Sequence, residues 1–240
     1  MLKPFGSNRQ LWWGGVLPAG KDVYAAGWEG DDELGPCGKG ARVVRLSSAG
    51  ELIWSWQDSQ ERLQWPTDMI ALDGGLLLAL IRSAPPADLV GEDMSYCYEG
   101  MPAYLVLIGP DGRELDRMVL SRDLDLGRLS RNSDNTVTTL APQEGLDPDL
   151  IVTIRGEGDH ITLDTTPIRT ALPATKDSAI VTRTFDGYRL LFHSQILALD
   201  RDGRLIVKQR RRNVAGSCKM IAGQGDFCWT THQILFQPLP

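Results

Sequence analysis

The stretch RVVRLSSAGELIWSWQ, Arg42 to Gln57, is two β-like runs joined by the turn Ser47-Ser48-Ala49-Gly50. Whether it stands alone or repeats decides the fold. YLVLIGPDGRELDRMVL (Tyr104–Leu120) and ILALDRDGRLIVKQ (Ile196–Gln209) have the same form. Each is an apolar strand ending in Leu or Ile, a Gly turn, one or two charged residues and a second strand. Glycine supplies the positive φ that tight hairpin turns need. HITLDTTPIRTAL (His160–Leu172) reads as a degenerate fourth copy, with Pro167 in place of the glycine turn.

Each copy follows another apparent hairpin: residues 15–28, 68–81, 136–154 and 179–193. The unit is therefore four strands, recurring about every 42 to 65 residues, a period that points to repeat architectures with four-stranded blades. CKMIAGQGDFCWTTHQILFQ (Cys218–Gln237) supplies three strands and NRQLWW (Asn8–Trp13) supplies one. An unpaired edge strand invites aggregation, and ring closure removes it. The expectation is an all-β chain, residues 1–240 forming a single β-propeller domain. It would have five four-stranded blades, the last completed by the N-terminal strand. A four-bladed ring with an extra hairpin and a β-sandwich are the competing arrangements. Helix is nearly absent; Leu120–Asn135 is the one stretch that could form a short helical turn.

The segment VVRLSSAGELIWSWQ, with Trp54 and Trp56, resembles the outer hairpin of bacterial propellers of the quinoprotein and arylsulfotransferase type. The resemblance covers most of the chain as architecture, and as a motif it is sharp only in the first blade. No residue set matches a quinone site or a sulfotransferase histidine, so neither cofactor nor activity is implied by it.

The bulk composition fits a soluble globular chain: 42% hydrophobic and 23% charged residues in 240. The net charge of −6 argues against nucleic acid as partner, because phosphate contacts need a basic surplus. The run Arg210-Arg211-Arg212 is local and reads as a solvated loop. No signal-peptide core and no apolar run of membrane-spanning length is visible, which sets a cytoplasmic default. Cys37, Cys97, Cys218 and Cys228 show no zinc spacing, so no metal and no cofactor is expected. Cys37 and Cys97, one in each long loop, are expected reduced, a disulfide between them being the competing arrangement, and Cys218 and Cys228 are expected out of register in one hairpin, as buried thiols.

Function is expected on the loops. Two insertions, residues 29–40 and 82–102, fall between the second and third strands of blades one and two. Both are acidic: Asp31, Asp32 and Glu33 in one, Glu92 and Asp93 in the other, which also carries Tyr96 and Tyr98. Aromatic residues beside charge suit a protein-binding patch better than a metal cage. Trp28 and Trp65 flank the loops and join the candidate set. The expected role is a non-catalytic scaffold for a protein partner, an inhibitor or immunity-type protein being one form. The alternative is a glycan-processing or glycan-binding propeller using Asp68, Asp134 and Asp177. These are expected near the start of the innermost strands, at the channel mouth, since glycoside hydrolysis needs paired carboxylates. Histidines 160, 193 and 232 have no partner at catalytic spacing, and nucleophile-elbow and phosphate-loop motifs are absent.

Overall fold

The structure is a computed structural model. It describes residues 10–30, 39–58, 64–83, 103–121, 124–143, 147–173, 179–192, 195–210, 217–221, 225–229 and 234–238. These residues form strands with a single 3-10 turn at Asp73–Gly75 and no helix long and apolar enough to cross a membrane.

The strands make five successive antiparallel sheets among the described residues. Sheet 1 is β1 (Gln10–Ala19), β2 (Asp22–Gly30), β3 (Lys39–Leu46) and β4 (Leu52–Gln57). Sheet 2 is β5 (Gln64–Ala71), β6 (Leu77–Ser83), β7 (Ala103–Ile108) and β8 (Glu114–Val119). Sheet 3 is β9 (Ser130–Arg131), β10 (Val137–Ala141), β11 (Leu150–Glu157) and β12 (His160–Pro167). Sheet 4 is β13 (Ile180–Arg183), β14 (Gly187–Leu191), β15 (Gln195–Asp200) and β16 (Leu205–Arg210). Sheet 5 has three strands, β17 (Ser217–Ile221), β18 (Gly225–Trp229) and β19 (Ile234–Pro238). Neighbours in sequence are neighbours in each sheet. The chain divides into two compact units, Met1–Asp123 with Gly156–Ile161, and Leu124–Arg155 with Thr162–Pro240.

The three repeats quoted above are one hairpin, down to its hydrogen bonds. In each turn a glycine at the fourth position has positive φ: Gly50 (78°), Gly112 (84°) and Gly203 (76°). The N–H groups of these glycines donate to Ser47, Gly109 and Asp200 carbonyls at 2.9, 3.0 and 3.1 Å. A side-chain oxygen near the turn, from Ser47, Asp111 or Asp200, accepts the N–H of the residue after the glycine. Each outer strand then opens with a bulge, leaving Ile53, Leu115 and Ile206 without an opposite residue. Short polar side chains and glycine favour this turn by local chemistry alone.

The core follows the alternation. Tyr24, Ala26, Val43, Trp54, Trp56, Met69, Leu77, Ala79, Ile81, Val106 and Ile108 make one buried cluster between sheets 1 and 2. β6 and β7 bury nearly every residue, which explains their unbroken apolar runs. In the second unit Leu140, Ile151, Val181, Tyr188, Leu190, Phe192, Leu197 and Leu199 pack together. Each such side chain contributes about 1.5–3 kcal/mol by leaving water.

Four expectations are corrected. The N-terminal run does not complete the last sheet: Gln10–Trp13 pairs with Gly27–Gly30 as the start of β1. Gly14-Gly15 is not a break but the site of a register shift between Trp13 and Gly15, which the chain passes as a bulge. In sheet 3, residues 160–167 are one strand, not a hairpin about Pro167. Its tight turn lies earlier, at Gly158 (φ 62°) and Asp159. The stretch 120–135 holds β9 rather than a helical turn, and Asn135 (φ 63°) closes the β9–β10 turn in the role glycine has elsewhere. Asparagine tolerates that conformation because its short polar side chain bonds locally. Finally, Cys218 and Cys228 are directly opposed in the β17–β18 register, not offset.

Candidate functional site

In sheets 1 and 2 the second strand ends and the third begins at one end; the connecting residues 31–38 and 84–102 lie outside the described residues. The strand ends there are held by a buried polar group. Asp58, just past β4, is 3% exposed. One oxygen of it accepts three donors from sheet 2: Gln64 Nε2 at 3.0 Å, the Tyr104 hydroxyl at 2.5 Å and Arg117 Nη1 at 2.8 Å. Gln64 Oε1 in turn accepts the Ala41 N–H at 3.1 Å, returning the chain of bonds to sheet 1. Arg117 also grips Glu114 with two bonds of 2.8 Å and lies over the Tyr104 ring at 4.8 Å. Glu114 accepts the Trp56 indole N–H at 3.1 Å.

The electrostatics make this group a clamp. Burial raises the Tyr104 hydroxyl pKa, and the Asp58 carboxylate raises it further, so Tyr104 stays protonated as a donor. The Glu114 hydrogen bond raises the Arg117 pKa, burial opposes this, and Asp58 adds to the rise. Tyr104 is therefore no base near neutral pH, and the described Asp58 oxygen is saturated with donors. A second tie holds the opposite end: Arg45 Nη2 meets Asp22 at 2.6 Å and Arg45 Nη1 reaches the Pro110 carbonyl at 3.4 Å. No group of three or more His, Cys, Asp or Glu side chains placed to hold a metal occurs among the described residues.

Of the residues singled out from sequence, Asp31, Asp32, Glu33, Glu92, Asp93, Tyr96, Tyr98 and Asp177 lie outside the described residues. So do Cys37 and Cys97. Trp28 lies two residues before the end of β2, half-buried, and its indole N–H is buried with no acceptor among the described residues. Trp65 lies in β5, opposite Arg82. Asp68 is within β5, not at its start, and turns back to accept the Met69 N–H at 2.8 Å. Asp134 is not at the start of an innermost strand either. It sits in the turn after β9, where it accepts Thr136 Oγ1 at 2.6 Å and Arg183 Nη1 at 3.1 Å.

The clamp residues escaped the sequence reading. Asp58, Gln64, Tyr104 and Arg117 follow no spacing, because three-dimensional pairing of two sheets brings them together. The one local hint is Tyr104, with its polar hydroxyl, as the second residue of a fully buried strand.

No known protein family matches this sequence, and no curated protein does. Solved structures do resemble it. A catalytically inactive virginiamycin B lyase from Staphylococcus aureus, solved with quinupristin, aligns with TM-score 0.54 and 9% identity over 98% of this chain and 72% of that one. Kuenenia stuttgartiensis hydrazine synthase aligns with TM-score 0.50 and 15% identity over 78% of this chain and 51% of that one. The fold is of the β-propeller type. A Bacteroides caccae protein of unknown function gives TM-score 0.47 and 13% identity over 78% of this chain and 60% of that one. This chain thus spans about half to three-fifths of the latter two proteins. At these identities the likeness concerns fold alone.

Proposed function

We propose that the chain is a non-catalytic propeller scaffold that binds a protein partner through the end of sheets 1 and 2 carrying residues 29–40 and 82–102. One observation carries the reading. Both long connections join second to third strands of sheets 1 and 2, whose flanking strand ends are clamped by Asp58, Gln64, Tyr104 and Arg117. Long loops on a rigid base are where binding residues concentrate. A fixed base also lowers the ordering cost that a binding surface incurs. Asp31, Asp32, Glu33, Glu92 and Asp93 give that surface an acidic character, suited to a basic partner; an inhibitor or immunity-type protein is one form of the role.

The test is affinity capture from the source organism with the full chain as bait. Charge reversal at Asp31, Asp32, Glu92 and Asp93 should lose the captured partner, whereas Asp68→Asn should keep it. Retention of every partner by the reversed chain would refute the reading. So would a sugar-cleaving activity that Asp68→Asn abolishes.

A further inference from the structure

The outer strands of the first three sheets each cover the outer turn of the sheet that follows in sequence. Trp54 of β4 lies so close over Gly112 that a Cβ there would meet the indole at 2.8 Å. Asp116 of β8 accepts the Ile161 N–H at 2.7 Å, beside the β11–β12 turn. Pro167, ending β12, lies against Gly203, whose carbonyl accepts the Arg169 N–H at 2.8 Å.

The fourth outer strand, β16, covers no such turn among the described residues. Counting from the shared bulge, Val207 occupies the position of Trp54 and Asp116. Trp54 is 8% exposed, but Val207 is 52% exposed. Leu205 and Ile206 are also open, at 42% and 54%, so three consecutive apolar residues face water on an edge strand. The strip is flanked by Arg201, Arg204 and Lys208, with Asp202 the sole acid in 201–209. This basic patch lies in a chain of net charge −6.

We propose that β16 is a docking strand for an extended, acidic segment of a partner protein whose alternate residues are apolar. An edge strand offers its outward N–H and C=O groups to an added strand, and side chains of alternate parity set specificity. Apolar residues of the incoming strand cover Val207 on one face of the sheet, and its acids meet Lys208 on the other. The Ile206 bulge and Lys208 are devices that discourage indiscriminate strand pairing, which leaves an acidic strand as the matched occupant. A second copy fits worse, because pairing β16 with itself brings two basic segments together. The occupant of β16 carries the opposite charge to the one that suits the acidic loops.

The test titrates a labelled short peptide alternating Glu and Val into the full chain, and follows hydrogen exchange along β16. A peptide alternating Lys and Val, a Glu/Gly/Ser peptide of equal charge and anionic phospholipid vesicles serve as comparisons. The expected result is saturable binding of the Glu–Val peptide alone, with slowed exchange at Ile206–Gln209. Val207→Glu and, independently, Lys208→Glu should weaken it by about tenfold or more. Both positions are exposed, so the variants should keep the parent melting temperature. Equal binding by the Lys–Val peptide, preference for vesicles, or unchanged affinity in both variants would overturn the proposal. Outward-facing amides of β16, those not bonded to β15, already slow in the free chain would do so too, since the strip would then be covered by the chain itself.

Discussion

The Tyr104 hydroxyl donates to Asp58 at 2.5 Å, and Arg117 reaches the same carboxylate oxygen at 2.8 Å. This carboxylate is one of the points where sheet 1 is tied to sheet 2. Removing one member of a buried ionic group leaves the others uncompensated and costs about 3–5 kcal/mol. Asp58→Ala should therefore fall in that range by urea unfolding. Arg117→Met should cost less, because its side chain is 22% exposed. The double variant should cost less than the sum of the two by at least about 1 kcal/mol, the mark of residues that share a network. Additive losses would show the pair to be uncoupled.

The same contact predicts an alkaline limit. Burial and Asp58 raise the folded-state pKa of Tyr104 above its unfolded value near 10. Above about pH 10 the unfolded chain releases a proton that the folded chain keeps, so stability falls as pH rises. Below about pH 10 this contribution is fully present. The slope from one such group is at most about 1.4 kcal/mol per pH unit. Tyr104→Phe should be less stable than the parent at pH 7 and show a shallower decline from pH 10 to 11. Parallel curves for parent and variant would assign the alkaline loss elsewhere.

What could be read from the chain was what local chemistry decides. The turns at Gly50, Gly112 and Gly203 announce themselves because glycine and a nearby Ser or Asp suffice to make them. The third sheet misleads for the same reason: Asn135 replaces the glycine, β9 is two residues long, and Pro167 imitates a turn. Gly14-Gly15 misleads because a glycine pair in a strand can be a bulge as well as a break. The Asp58 clamp spans residues 58 to 117 and depends on how two sheets face each other, which no spacing encodes. The acidic character of the loops was readable; what they bind is set by surface chemistry that composition alone does not resolve.

Gly112 and Gly50 separate conformational strain from contact. Both have positive φ, so alanine at either costs about 1–2 kcal/mol of backbone strain. A Cβ at Gly50 meets nothing within 4 Å, whereas one at Gly112 meets Trp54 at 2.8 Å. Gly50→Ala should lose only the strain. Gly112→Ala should lose about 2 kcal/mol more, through displacement of the turn or the indole. Combining Gly112→Ala with Trp54→Leu should recover part of that excess over the two single losses. Equal losses for the two alanine variants would mean that the turn does not rest on Trp54.

Asp134 offers a test that bears on chemistry. Burial pushes its carboxyl pKa up, but the Thr136 hydroxyl and N–H groups and the Arg183 guanidinium outweigh that, and the net shift is down. A folded-state pKa below the unfolded value gives stability that is present above about pH 4 and lost as pH falls further. Asp134→Asn should flatten that acid-side loss. The effect at pH 7 should be below about 1 kcal/mol, because the Arg183 pair is solvent-facing. Asn132 beside it is different: it is 4% exposed, accepts the Arg183 N–H at 2.7 Å and donates to Thr136 Oγ1 at 2.9 Å. Asn132→Ala should cost about 2–3 kcal/mol, since it strands buried polar groups. A catalytic acid in glycoside hydrolysis needs its pKa raised, and Asp134 is shifted the other way. Its carboxylate oxygens are bound to Thr136 and Arg183 at 2.6 and 3.1 Å. An acid-side profile unchanged by Asp134→Asn would show that this turn does not set the shift.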